Sequence, residues 1–141
     1  MLKIATFNIQ NNYKLYSLDK TNDIYKFLKE EKIDILCLQE VFDKCNDDLC
    51  KKLGNSYDIF GKYRYKLWIF KRINEKNPII AQNAYMSKTY YLPYLPSFLK
   101  RIVTKVNVKT EYGEVAVYNT HLDYKFDFVK KRQWKKILKI L

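Results

Sequence analysis

Apolar positions along the first half of the chain switch between two periods. Leu2–Ile9 is apolar and β-rich at most positions, a pattern that predicts a strand buried on both faces. Across Thr21–Lys32 the spacing becomes helical, with Ile24, Phe27 and Leu28 on one side and Asp23, Lys26, Lys29 and Glu30 on the other. Asp34–Val41 predicts a second short apolar strand ending in Gln39-Glu40, and Asp47–Leu53 a short helix stopped by Gly54. Strand patterns dominate from there: Tyr57–Gly61, Leu67–Phe70, Ile79–Met86, Arg101–Lys109 and Glu114–Asn119. Glu111-Tyr112-Gly113-Glu114 predicts a hairpin turn in which Gly113 takes positive φ, while Pro93 and Pro96 mark a loop. The last segment, Phe126–Leu141, predicts an amphipathic helix with Val129, Trp134, Ile137, Leu138 and Leu141 on its apolar arc. Its other arc carries Lys131, Arg132, Lys135, Lys136 and Lys139, read either as a solvated face or as a phosphate-binding one. Early strand–helix alternation followed by a run of strands gives an α/β (α+β) domain, or a sandwich with helices outside.

With no repeats and no linker, the 141 residues read as one domain or part of one. A hydrophobic fraction of 48% excludes a disordered chain, and three glycines and three prolines exclude a collagen-like or low-complexity one. Net charge is +12, from 27 basic and 15 acidic residues. That excess favours polyanionic partners such as nucleic acid or phosphorylated lipid headgroups, with a merely solvated basic exterior as the alternative. Cys37, Cys45 and Cys50 form no even disulfide set, and one histidine in the whole chain cannot complete a zinc site with them. Cys37, inside an apolar run, reads as a small buried thiol. No apolar run approaches the length of a membrane span and no leader pattern precedes Leu2, so a reducing, cytoplasmic setting is expected.

Three polar residues follow apolar strands directly: Asn8, Glu40 and His121. Strand ends are where a sheet opens to solvent and where groups can converge on a ligand. A hard cation such as magnesium takes oxygen ligands, usually one or two carboxylates with waters and substrate phosphates, and Glu40 with the Asn8 amide oxygen suits it. A nearby histidine can donate to a phosphate or move a proton near neutral pH. Singly, Glu40 reads as the first solvated residue after a strand, Asn8 as a turn former and His121 as a hydrogen-bonded strand-end residue.

Four strings in order add to this: Thr6-Phe7-Asn8-Ile9, Leu38-Gln39-Glu40-Val41, Gln82-Asn83-Ala84-Tyr85-Met86-Ser87-Lys88 and Asn119-Thr120-His121-Leu122-Asp123. With them the chain resembles the endonuclease/exonuclease/phosphatase family, the deoxyribonuclease-I-like metal-dependent phosphoesterases. The third string is similar to the family's Gly-Asn-Ala-Ile-Leu-Ser-Arg segment with Gln82 in place of glycine, and Arg132-Gln133 fits a basic–glutamine step that follows the fourth. The resemblance implies a four-layer α/β sandwich and a Mg2+ or Mn2+ site at Asn8 and Glu40. It also implies a catalytic role for His121 at the scissile phosphate, and substrate-binding roles for Asn83 and Asn119. For Asn83 a structural hydrogen bond is an equal alternative.

The family's Gly-Asp-Phe-Asn segment and terminal Asp-His pair have no counterpart in residues 1–141. The resemblance therefore implies a partial sandwich: a single incomplete domain, hydrolytic in complete form, with this chain an inactive or incomplete fragment. A non-catalytic polyanion-binding fragment is the rival reading. The string Leu-Gln-Glu-Val, together with Asn8–Tyr13, moves weight from apurinic-site nucleases toward general nuclease, sphingomyelinase-like and phosphatase branches. The implied substrate is a phosphate ester, either nucleic acid or phospholipid headgroup.

Overall fold

The structure, a computed structural model, describes residues 1–10, 18–64, 75–97 and 100–141. The expected strand at Leu67–Phe70 lies outside the described residues.

Two sheets face each other. In the first, β1 (Ile4–Asn8), β2 (Ile35–Gln39), β6 (Ile79–Ala81) and β4 (Asp58–Phe60) are ordered β1-β2-β6-β4, with β1 parallel to β2 and the other pairs antiparallel. The second is the antiparallel β7 (Ala84–Leu92), β8 (Arg101–Thr110) and β9 (Gly113–Thr120). A small ribbon, β3 (Val41–Phe42) with β5 (Glu75–Lys76), extends the Glu40 end of the first sheet. Ile35, Cys37, Ile79 and Ala81 from the first sheet meet Val106, Val108 and Val117 from the second, so alternate residues of β2 and β6 point into this middle layer.

On the outer face of the first sheet, Leu36, Leu38 and Ile80 pack against α1 (Leu18–Glu30) and α2 (Asp43–Leu53) through Ile24, Leu28, Cys45, Leu49 and Leu53. Thr21 Oγ1 and Cys45 Sγ, 3.8 Å apart and buried, join the two helices. On the outer face of the second sheet, Ile137 of α3 (Asp127–Leu138) meets Leu92 and Val103. The order helix, sheet, sheet, helix is the four-layer α/β sandwich expected from the sequence.

Several expectations are corrected. β1 is not buried on both faces: it is an edge strand, with Ile4 54% and Phe7 40% exposed and Phe7 stacked edge-on against Phe27. Ile79–Met86 is not one strand. It ends one sheet and begins the other, and the crossing is made at Gln82-Asn83, where Asn83 adopts φ 54° without a glycine or proline to announce it. In α3 the buried residues are Val129, Gln133 and Ile137, whereas Trp134, Leu138 and Leu141 are exposed. Gln133 takes the inward place because backbone groups wait there: it accepts from Asp123 N at 2.8 Å and donates to Pro93 O at 2.8 Å. The hairpin at Gly113 forms as expected, with φ 110°.

Cys37 and Cys45 are buried and Cys50 is exposed, all as free thiols. Burial pushes the Cys37 thiol up to about 11 and raises Cys45 as well. Since the thiolate is the nucleophile, an alkylating reagent at neutral pH is expected to modify Cys50 first and the other two only after unfolding. Mass spectrometry of partly labelled protein checks this, and early labelling at Cys37 contradicts the middle layer described above.

Candidate active site

Three strand ends meet at one edge of the sandwich. Parallel pairing sets Asn8 opposite Gln39, which brings Asn8 beside Glu40. β9 carries His121 to the same edge, because Asn119, two residues earlier, crosses between the sheets and donates to Leu38 O at 2.7 Å and Pro78 O at 2.9 Å. Gln39 Nε2 closes this staple by donating to Asn119 Oδ1 at 2.7 Å and Thr6 Oγ1 at 3.1 Å.

Asn8 Nδ2 donates to Glu40 Oε1 at 3.0 Å, and His121 Nδ1 stands 3.5 Å from the same oxygen. Asn8 Oδ1 accepts from Gln10 N at 2.9 Å. Glu40 itself has φ 59°, in the left-handed region, a conformation kept only where surrounding contacts over-determine it. The staple on Gln39 and the β3–β5 ribbon after Val41 are those contacts.

Asn83 and Asn119, for which substrate-binding roles are expected, lie at different places in the sandwich. Asn83 follows Ala81, which pairs with Ile35 at the far end of β2, so Asn83 sits on the opposite rim near Lys3, Asp34 and Lys109. Its carbonyl accepts from Lys109 N at 3.1 Å, which is the structural alternative. Asn119 reaches the correct edge but is 3% exposed, with both ends of its amide committed to the staple.

Behind Glu40 and His121 lies a charged cluster that sequence reasoning missed. Arg64 and Glu75 form a buried pair at 2.7 Å, and Arg101 is 2% exposed with no hydrogen-bond partner for Nε among the described residues. Burial first, then Arg64, lowers the Arg101 pKa against the pull of Glu75, Asp123 and Glu40. Burial raises the Glu75 carboxyl despite Arg64. Burial, and next Arg101, likewise holds His121 below the usual imidazole range, opposed by Glu40, so the ring favours its neutral form. Asn77 is fully buried with neither amide atom hydrogen-bonded among the described residues. Burial pushes the Asp123 carboxyl up, but its hydrogen bonds, from Ser97 and from the Phe126 and Lys125 amides, outweigh this and leave its pKa lowered. The only sequence signal for these residues was the compact string Glu75-Lys76-Asn77-Pro78 before an apolar strand.

Among the described residues no group of three or more His, Cys, Asp or Glu is placed to cage a metal. Glu40 and Asn8 instead bring one carboxylate and one side-chain amide to a strand end. Asn8 Nδ2 faces Glu40 and Oδ1 accepts from Gln10 N, so the amide oxygen would meet a cation on Glu40 once the amide is turned over. That donor set fits a hard divalent cation that keeps waters and shares substrate oxygens, and it does not fit zinc.

No curated protein matches the sequence. Solved structures do match. An endonuclease/exonuclease/phosphatase from Bacteroides vulgatus is 20% identical with a TM-score of 0.73, covering 96% of this chain and 57% of its own. The mannosyl-6-phosphatase Bt3783 of Bacteroides thetaiotaomicron is 17% identical with a TM-score of 0.80, covering 99% of this chain and 58% of its own. D. rerio TDP2 complexed with a single-strand DNA product is 16% identical with a TM-score of 0.77, covering 98% of this chain and 53% of its own. The chain thus spans a little over half the length of these structures, which share its fold. The sequence model of the endonuclease/exonuclease/phosphatase family matches residues 5–127, a stretch that contains Asn8, Glu40 and His121, and the chain belongs to that family.

Proposed function

We propose that these residues form the metal-holding half of a phosphoesterase site that uses Mg2+ or Mn2+. The observation that carries the reading is the convergence of Asn8, Glu40 and His121 from three separate strand ends, with two of them on one carboxylate oxygen of the third. Glu40 and Asn8 would hold the cation, which when bound supplies charge to offset that growing on the phosphoryl oxygens. With Nδ1 turned to Glu40, His121 keeps Nε2 as the atom that exchanges a proton at the phosphate. Arg101 and Arg64 add positive charge behind that position.

The substrate on this reading is a phosphate ester in a nucleic acid or a phospholipid headgroup, and the setting is cytoplasmic. Among the described residues no helix is long and apolar enough to cross a membrane. The described cluster brings one carboxylate to the cation and one histidine to the phosphate. Groups that act as a unit lose effect steeply when members are missing, so the 141-residue chain, read as an incomplete domain, is expected to bind metal with little turnover. The rival, a non-catalytic polyanion binder, is favoured by the basic surplus alone.

Titration of the purified chain with Mn2+, followed by electron paramagnetic resonance, tests the proposal. One site saturating at millimolar metal or below is expected, with Mg2+ competing. Absence of any such site overturns it.

A further inference from the structure

Beside the Glu40–His121 edge the strand ends leave a cavity of about 650 Å³. Five cations line it: Lys62, Arg64, Lys76, Lys100 and Arg101. No acidic side chain stands among the described lining residues. Two carboxylates that contact lining residues are engaged, Glu75 with Arg64 at 2.7 Å and Asp43 with the Tyr63 hydroxyl, a bond that holds the Tyr63 phenol up to about 12. Arg64 and Arg101 also act electrostatically on His121, so the inner end of the cavity adjoins the candidate active site.

Three tyrosines, Tyr63, Tyr91 and Tyr94, line the same walls. Lys76 Nζ lies 4.5 Å from the Tyr63 ring centroid and Lys100 Nζ 5.8 Å from that of Tyr94. Tyr91 is 63% exposed. Interleaved cations and ring faces in a concave wall suit a ligand that carries several phosphates and flat, unstacked rings. A duplex keeps its base faces inside the stack, and a phosphorylated lipid headgroup brings phosphates but no flat ring for the tyrosine faces. A single strand presents both features to a groove.

We propose that this cavity seats a single-stranded nucleic acid, with phosphates on Lys62, Lys76 and Lys100 and a base on Tyr91, and leads a phosphodiester toward Glu40 and His121. The last step rests on the phosphoesterase reading; the binding does not. The test is fluorescence anisotropy in EDTA with a labelled single-stranded oligonucleotide of about twelve nucleotides, against the same sequence as duplex and against phosphoinositide-containing vesicles.

The single strand is expected to bind most tightly. Lys62→Glu/Lys100→Glu is expected to weaken it more than about tenfold and to lower the salt dependence by about two counterions. Tyr91→Ala is expected to weaken it at least about fivefold without changing the salt dependence. These three side chains are exposed, so the fold is expected to hold. Lys131→Glu/Lys135→Glu, an equal charge change on exposed positions of α3, is expected to leave binding within about twofold. Equal loss in the α3 variant, or preference for duplex or vesicles, overturns the proposal. Because chelator is present, a failure here leaves the Mn2+ titration untouched, and a failed Mn2+ titration leaves this binding untouched.

Discussion

Glu40→Gln is expected to weaken Mn2+ binding by more than about a hundredfold. Replacing ligand-supporting groups one step further from a metal already costs roughly 10- to 100-fold in affinity, and this change removes the carboxylate that would itself hold the cation. Gln keeps the shape and keeps a carbonyl oxygen to accept from Asn8 Nδ2, so the Asn8 contact survives while the negative charge does not. Stability is expected to shift by less than about 1 kcal/mol, because the substitution keeps the side chain's shape and its contact with Asn8. Asn8→Ala, which removes a neutral donor, is expected to cost about tenfold. Any form of the protein with measurable turnover is expected to lose hydrolysis in step with metal affinity. An unchanged Mn2+ affinity in the Gln variant would place the cation elsewhere and remove the basis of the proposed site.

The assembled part of the site was legible in the sequence because Asn8, Glu40 and His121 each end an apolar run. Parallel pairing and sheet stacking then put those ends at one edge. Of the layers, periodicity reached only an α+β domain or a sandwich with helices outside; the four-layer order came with the four family-like strings. What stayed hidden depends on partners far away along the chain. Gln133 faces inward because of Asp123 and Pro93, and nothing local marks it above Trp134 as the buried residue. Arg64, Glu75 and Arg101 are charged, and charge in a sequence reads as solvated surface; only the folded chain shows them buried together. The turn at Asn83 was hidden because an asparagine takes positive φ without the glycine that usually signals it, and the turn sets Asn83 at the rim away from Asn8, Glu40 and His121.

Asn119 gives the strongest stability test of the architecture. Its amide nitrogen donates to two carbonyl oxygens of the first sheet, Leu38 O and Pro78 O, and its oxygen accepts from Gln39 Nε2, all within 3.0 Å and out of water. Asn119→Asp keeps the size but removes both donors and sets a carboxylate against two carbonyl oxygens. A buried group left without its partner costs about 1–3 kcal/mol, and more when charge is involved, so this variant is expected to lose at least about 4 kcal/mol at neutral pH. Asn119→Ala removes the same donor without adding charge and leaves Pro78 O with its bond from Leu38 N at 3.0 Å, so it is expected to lose about 2–3 kcal/mol. The pH dependence separates the two. In the Asp variant the folded state resists ionisation, which raises that carboxyl's folded pKa above its unfolded value. Its stability is therefore highest in acid and falls as pH rises through that pKa, while the Ala variant follows wild type. Urea denaturation at several pH values reads both effects. Asn119→Ala also removes the acceptor of Gln39 Nε2, beside Glu40 at φ 59°, so that variant is expected to bind Mn2+ less tightly than wild type while still folded. Wild-type stability in the Asp variant would mean that the two sheets are not joined at this edge, and with it the convergence of His121 on Glu40 would be lost.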